Sequence, residues 1–227
     1  VLDDRLKITA SGRYDKNEFF DGFFSPRASI LATLGERRNH NIRFSVQQGF
    51  RNPTTQDLFI GLNAGRAILV GSAPDNLDRD IRTFNLSQAG QTITGSPTAT
   101  VAGRSAYDNA FSLASVQSGI PQAPINPDPN SEFDTPLVQP EEITAFEVGY
   151  RAQFLEGRLA IDLSGYYNQY DNFISQTTVL VPFYGAVGDN SLSLLALQNG
   201  DVFPYQPYTN ALADIESYGA TIGVDAK

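Results

Sequence analysis

Between Glu142 and Phe173 apolar and polar residues alternate with a period of two. On the first arm Thr144, Phe146, Val148, Tyr150, Ala152 and Phe154 fall on one side, against Ala145, Glu147, Gly149, Arg151 and Gln153. Leu155-Glu156-Gly157-Arg158 then reads as a tight turn, with Gly157 free to take positive φ. On the second arm Leu159, Ile161, Leu163, Gly165 and Tyr167 share a face, against Arg158, Ala160, Asp162, Ser164, Tyr166 and Asn168. This period belongs to strands and not to a helix. Each arm has roughly ten residues, beyond the about five or six of an ordinary strand and matching the ~9–11 that cross a bilayer at a tilt. The pattern predicts a transmembrane β-barrel hairpin.

The same alternation recurs along the chain. Leu6, Ile8, Ala10, Gly12 and Tyr14 oppose Arg5, Lys7, Thr9, Ser11 and Arg13, a polar face too cationic for a packed soluble core. A second strand over about 24–34 turns Pro26, Ala28, Ile30, Ala32 and Leu34 outward and Arg27, Ser29 and Thr33 inward, with Leu31 breaking the pattern. Gly35 to Asn41 reads as a compact charged turn, and His40 as a solvated turn histidine in preference to a ligand or base. A third strand over 41–51 sets Ile42, Phe44 and Val46 against Arg43, Ser45 and Gln47. The spans 142–154, 158–173 and 215–226 complete the predicted strands, the last with Tyr218, Ala220, Ile222 and Val224 outward.

Between them lie loops at 15–23, 54–139 and 175–213; the first is polar with paired aromatics at Phe19 and Phe20, and 54–139 lacks sustained alternation and is rich in Gly, Ser, Thr, Asn, Asp and Pro. Compact soluble domains seldom hold so long an irregular connection. Barrels of this kind have short turns at one rim and long loops at the other. The short turns at 35–41 and 155–158 therefore mark the periplasmic end, and the long stretches the cell exterior. Phe59-Ile60-Gly61-Leu62 and Ala67-Ile68-Leu69-Val70 suggest that the longest loop folds on itself.

Composition removes whole classes of chemistry. The 227 residues include no cysteine and one histidine, so thiolate sites, zinc-histidine sites and Ser-His-Asp triads lack their parts. The net charge of −9 argues against a nucleic-acid surface. No run of 18 or more apolar residues exists, a fact without force against a barrel. Both ends look cut, Val1-Leu2-Asp3-Asp4 leading straight into a strand and the chain stopping at Val224 to Lys227 apparently inside one, so the expectation is a piece of a longer polypeptide.

Several motifs together resemble one family. Gly49-Phe50-Arg51 with Pro53, Asp57 and Leu58 is similar to the Gly-Phe-Arg-x-Pro strand end of TonB-dependent outer-membrane receptors. Ser25-Pro26-Arg27 resembles the element that opens the preceding strand. Pro140-Glu141 followed by Glu147-Val148-Gly149-Tyr150-Arg151 resembles the family's next strand. Gly165-Tyr166-Tyr167-Asn168 to Asp171-Asn172-Phe173-Ile174, and Ile215 to Ala220, resemble the strands that follow. The resemblance implies the C-terminal portion of an all-β, antiparallel, 22-stranded transmembrane barrel, with the plug domain and the TonB-contacting segment N-terminal to these residues. It implies TonB-dependent import of an oligosaccharide, peptide or metal chelate across the bacterial outer membrane, with lipid and TonB as partners. The polar loops and the Ile215 to Ala220 strand lean toward a SusC-like receptor with a SusD-like surface lipoprotein.

Candidate sites divide by face. Arg43, Arg51, Glu147, Arg151, Arg158 and Asp162 are expected to line the interior, where the family's plug makes structural pairing the first expectation. The aromatics Tyr184, Phe203, Tyr205 and Tyr208 in the last long loop either stack on a ligand such as a sugar or pack the loop. Asp75, Asp78 and Asp80 lie among Arg79 and Arg82; their spacing is not that of a calcium loop and reads as local ion pairs. Asp128, Glu132 and Asp134, threaded through prolines, read as an extended acidic segment. Glu141 and Glu142 point to opposite faces and cannot act as a carboxylate pair. No catalytic residue, cofactor or metal site is expected. A soluble β-rich binding module or adhesin and a passive porin are the alternatives. Left alone in lipid, each edge strand would strand about ten backbone polar groups at ~1–3 kcal/mol apiece, beyond the net stability of ~5–15 kcal/mol of a typical protein. The missing strands are therefore expected from the rest of the polypeptide.

Overall fold

The computed structural model describes residues 5–16, 20–119, 121, 137–188, 192–211, 213 and 215–227. The chain divides into two compact units, one of Val1–Asn52, Gln139–Phe173 and Ala211–Lys227, the other of Pro53–Val138 and Ile174–Asn210.

The first unit is one antiparallel sheet. Its strands are β1 (Leu6–Asp15), β2 (Phe23–Leu34), β3 (His40–Arg51), β4 (Glu141–Phe154), β5 (Leu159–Asp171) and β6 (Ile215–Ala226). They lie side by side in chain order, so each strand pairs with the one before it. Register decides which side chains meet. One row across all six strands reads Leu6, Ala32, Ile42, Tyr150, Leu163 and Ile222. The next reads Ile8, Ile30, Phe44, Val148, Gly165 and Ala220, and the one beyond it Ala10, Ala28, Val46, Phe146, Tyr167 and Tyr218. A one-residue slip at any strand would interleave polar side chains into these rows, so period-two patterning excludes slips of an odd number of residues.

The turns follow local backbone preference. At Leu155–Gly157 three successive residues take positive φ, 53°, 58° and 88°, and Gly157 is the one that does so without strain. His40 corrects the sequence expectation. It is the first residue of β3 and not a solvated turn residue; its Nδ1 lies 2.7 Å from the Tyr150 hydroxyl, and its ring packs edge-on against Phe154 at 5.5 Å. The turn ends earlier than the charge pattern suggests because His40 already pairs with Leu34 in β2 and with Ala152 in β4, a partner far along the chain.

The second unit is not the irregular connection expected for 54–139 and 175–213. Short strands Gly61–Asn63, Ile68–Val70, Val202–Asn210, Val179–Pro182 and Phe111–Ser112 form a five-stranded sheet, and Ile174–Gln176 also pairs with Val202–Asn210. Strands Gly61–Asn63 and Ile68–Val70 are the self-folding pair within the first loop. A separate hairpin joins Ile81–Asn85 to Thr98–Ala102. The core holds Ile68, Val70, Leu77, Val101, Tyr107, Val179, Val181 and Tyr205. Its parts come from segments far apart in the chain: Ile68 pairs in parallel with Tyr205. The unit opens on a reciprocal cap. The Thr54 hydroxyl accepts from the Asp57 amide at 3.2 Å, and the Asp57 carboxylate accepts from the Thr54 amide at 2.8 Å, starting helix Thr55–Phe59. Gly71 runs so close to this helix that an added Cβ would collide with the Leu58 and Phe59 backbone.

Candidate functional site

The two faces of the sheet differ in chemistry. On one, β4 and its neighbours present polar and charged groups. Arg43 donates to the Glu147 carboxylate at 3.0 Å, and the Ser45 hydroxyl donates to the same oxygen at 3.3 Å. Register places Asn41, Arg151 and Asp162 in one row beside them. Toward the far end Arg51 pairs with Glu141 at 2.9 Å. Glu142 sits opposite Phe50 and turns the other way. A depression of about 470 Å³ on this face is lined by Arg43, Glu147, Arg151, Asp162, Ser164 and Tyr166. Both members of the Arg43–Glu147 pair are about half exposed, so their bond contributes under about 1 kcal/mol; the pair fixes geometry more than it stabilises. Arg158 departs from the expectation of a strand wall residue. It caps the Leu155–Gly157 turn in an αR conformation, before β5 begins.

The opposite face is apolar and open. Ile8 is 67% exposed, Phe44 46%, Val148 53% and Ile222 72%. Burying each such side chain is worth about 1.5–3 kcal/mol, so leaving these four in water forfeits on the order of 10 kcal/mol, comparable with the whole stability of a domain. The face ends at identifiable borders. Beyond the Phe146, Tyr167 and Tyr218 row, Thr144, Gln169 and Glu216 follow, with Gln48 donating to Thr144 at 3.5 Å and the Tyr167 hydroxyl donating to Glu216 at 2.7 Å. At the other end lie Phe154, Leu159 and Ala226.

Of the four loop aromatics, two are buried in the unit's packing. Tyr205 has no exposed surface, and Tyr208 is 8% exposed. Tyr208 accepts at its carbonyl from the Tyr107 hydroxyl at 2.9 Å and at its own hydroxyl from Gln56 at 2.8 Å. Neither ring offers a face to a sugar in this conformation. Phe203 and Phe183 flank Phe84, with ring centroids at 5.3 and 4.5 Å. Tyr184 donates to the Asp201 carboxylate at 3.0 Å. That carboxylate, 2% exposed, also accepts from the Ser87 amide at 2.7 Å and hydroxyl at 2.8 Å. Sequence reading missed Asp201: its partner Ser87 lies 114 residues away, and no local pattern marks such a meeting.

The acidic loop residues each have an arginine. Asp75 faces Arg79 at 3.6 Å, Asp80 meets Arg82 at 2.7 Å, and Asp78 accepts from Arg104 at 2.9 Å. The Arg104 hydrogen bond holds the Asp78 carboxyl below the usual carboxylate range. Burial raises the phenol pKa of Tyr107, and burial with the nearby Asp80 charge raises that of Tyr205. Among the described residues no three metal-ligating side chains converge. Asp128, Glu132 and Asp134 lie outside the described residues.

Residues 1–227 match the model of the family described as TonB dependent receptor-like, beta-barrel. The chain belongs to that family. The six-stranded sheet, open at both edges, is thus part of a large antiparallel transmembrane barrel, in a family of outer-membrane receptors. Solved structures that resemble it include two outer-membrane receptors. The siderophore receptor PirA from Acinetobacter baumannii shares 14% identity, over 98% of this chain and 24% of that one, at a TM-score of 0.46. A double mutant of the Serratia marcescens hemophore receptor HasR, in complex with its hemophore HasA and heme, shares 13% over 97% of this chain and 27% of that one, at 0.43. This chain spans about a quarter of the length of each. No curated protein sequence matches it.

Proposed function

We propose that this chain builds part of the wall of a TonB-dependent transporter that imports a nutrient across the bacterial outer membrane. The observation that carries the reading is the division of one continuous sheet: Ile8, Phe44, Val148 and Ile222 stand exposed on one face, and the Arg43–Glu147 and Arg51–Glu141 pairs occupy the other. Hydrocarbon suits the first face, since apolar surface there costs nothing. An enclosed aqueous lumen suits the second. Arg43, Arg51, Glu147, Arg151 and Asp162 accordingly line the lumen, where a plug contributed by the rest of the receptor would meet them. Arg158 lies at the periplasmic turn. The Pro53–Val138 and Ile174–Asn210 unit supplies extracellular loops that meet the substrate, an oligosaccharide, a peptide or a metal chelate. Of the four loop aromatics, Tyr184 and Phe203 keep partly open surface and are assigned to ligand contact; Tyr205 and Tyr208 hold the unit together.

TonB and the proton gradient of the inner membrane power the import. The test is uptake by cells expressing the complete receptor, with labelled candidate substrates from each of the three classes. Uptake that vanishes with a protonophore or without TonB supports the reading; uptake indifferent to both makes the barrel a passive porin. A SusC-like receptor would in addition co-purify with a SusD-like lipoprotein. A receptor that remains monomeric in plain buffer removes the membrane reading altogether and leaves a soluble binding module.

A further inference from the structure

The loop unit leaves two strand edges open beside one depression. In its five-stranded sheet Gly61–Asn63 is an end strand, and Ile81–Asn85 pairs with Thr98–Ala102 alone among the described residues. Antiparallel ladders alternate bonded and non-bonded residue pairs. The Gly71 amide donates to the Ile60 carbonyl at 2.8 Å and the Ala64 amide to the Ala67 carbonyl at 2.9 Å, which sets the phase of the first pair. Gly61 and Asn63 therefore turn their N–H and C=O groups away from Ile68–Val70. In the hairpin the Gly103 amide donates to the Asp80 carbonyl at 2.7 Å and that of Leu86 to the Pro97 carbonyl at 2.9 Å. Ile81, Thr83 and Asn85 thus turn their main-chain groups away from Thr98–Ala102. All five residues are exposed. Both edges reach a depression of about 420 Å³ lined by Phe59, Gly61, Asn76, Arg79, Ile81 and Arg82. Gly61 has only main chain to line it with.

We infer that an extended peptide binds between these two edges, so that the nutrient of the import reading above, on which this rests, is a peptide. The open N–H and C=O groups recur at every second residue, about 6.6 Å apart, and an extended chain presents the same groups at the same interval. A sugar or a metal chelate has no such repeat. The charges agree. Arg82 is held by Asp80 at 2.7 Å, whereas the Arg79 side chain, 82% exposed, has Asp75 only at 3.6 Å and is left to meet a terminal carboxylate. Phe59 and Ile81, 45% and 61% exposed, offer apolar surface to a peptide side chain. The occupant is cargo and not a protein partner. Edges of three and five residues hold a short piece of chain, against the ~20–30 residues a side of a stable protein interface.

The test is fluorescence anisotropy of penta-alanine, dansylated at its N-terminus, titrated with the complete receptor in detergent. The free acid should bind saturably. N-methylation at alternate residues, which removes the main-chain donors facing one edge, should weaken binding roughly tenfold. The C-terminal amide should bind about threefold more weakly than the acid in the wild type and equally with it in Arg79→Ala. Ile81→Pro removes a donor that the hairpin does not use, so it should weaken the acid about threefold to tenfold while amide-exchange protection over Thr98–Ala102 stays unchanged. The methylated peptide makes the same test should Ile81→Pro fail to fold. Equal binding of methylated and unmethylated peptides, or no saturable binding, overturns the inference. So does a co-purifying lipoprotein that excludes the peptide, because the edges are then an interface. TonB-dependent uptake of a sugar or chelate without peptide binding sinks the peptide site and leaves the import reading; a peptide bound but never taken up sinks the import reading and leaves the site.

Discussion

Leu163 and Ser164 are neighbours in β5 that face opposite ways, and an arginine at each should give opposite results. Leu163 stands in the row with Tyr150 and Ile222, four residues from the Phe146–Tyr167–Tyr218 border and four from the Phe154–Leu159–Ala226 border. Eight steps of about 3.3 Å make a belt of ~26 Å along the strand, which at the ~35–45° tilt of such barrels stands ~19–22 Å tall, close to the ~25 Å band expected. Leu163 is therefore near the midplane, about 10 Å from either border by the same geometry. Leu163→Arg should cost about 2–4 kcal/mol. Ser164→Arg extends into the depression that holds Glu147 and Asp162 and should change stability by no more than about 0.5 kcal/mol. The assay is reversible guanidinium unfolding of the complete receptor in phospholipid vesicles, read from midpoint and slope. Equal costs at the two positions, or a larger cost at Ser164, would refute the assignment of faces.

Other outcomes follow from the loop unit and the polar wall. Asp201→Ala leaves the Ser87 amide and hydroxyl and the Tyr184 hydroxyl without their acceptor, so the loop unit should lose about 2–4 kcal/mol; limited proteolysis should cut it at lower protease concentration. Gly71→Ala forces the chain off the Leu58 and Phe59 backbone and should destabilise the unit by at least about 1–3 kcal/mol, read as lost amide-exchange protection over 54–73. An Arg43→Ala, Glu147→Ala double-mutant cycle should return a coupling below about 1 kcal/mol; several kcal/mol would mean that the wall is sealed from water. Tyr107 and Tyr205 have folded pKa values above that of a free phenol, so the folded unit keeps protons that the unfolded chain gives up. Stability conferred by the loop unit should therefore fall as pH rises through and beyond about 10, the free-phenol value, and unfolding followed from pH 9 to 11 should show the loss.

What was legible in the sequence and what was not divide along a physical line. A strand that contacts two different solvents records its two faces residue by residue, and a one-residue shift would reverse them. Phe44, Val46, Phe146, Val148, Leu159, Ile161 and Leu163 could thus be assigned to one face, and Arg43, Glu147, Arg151 and Asp162 to the other, before any coordinates. The turn around Gly157 was legible too, because positive φ is a local property. His40 was misplaced by the charged residues before it, which mark a turn but cannot mark its last residue. Phe203, Tyr205 and Tyr208 carry no period that separates a packed ring from a ligand platform. The burial of Tyr205 follows from Ile68 lying beside it, and the hub at Asp201 from Ser87 meeting it across 114 residues. Alternation by itself determined the long strands and which of two chemically different faces each side chain joins; the register between strands came from the structure. Only the tertiary structure decided that the irregular stretches share a core, because short elements from distant segments have no hydrophobic face until they bury one another.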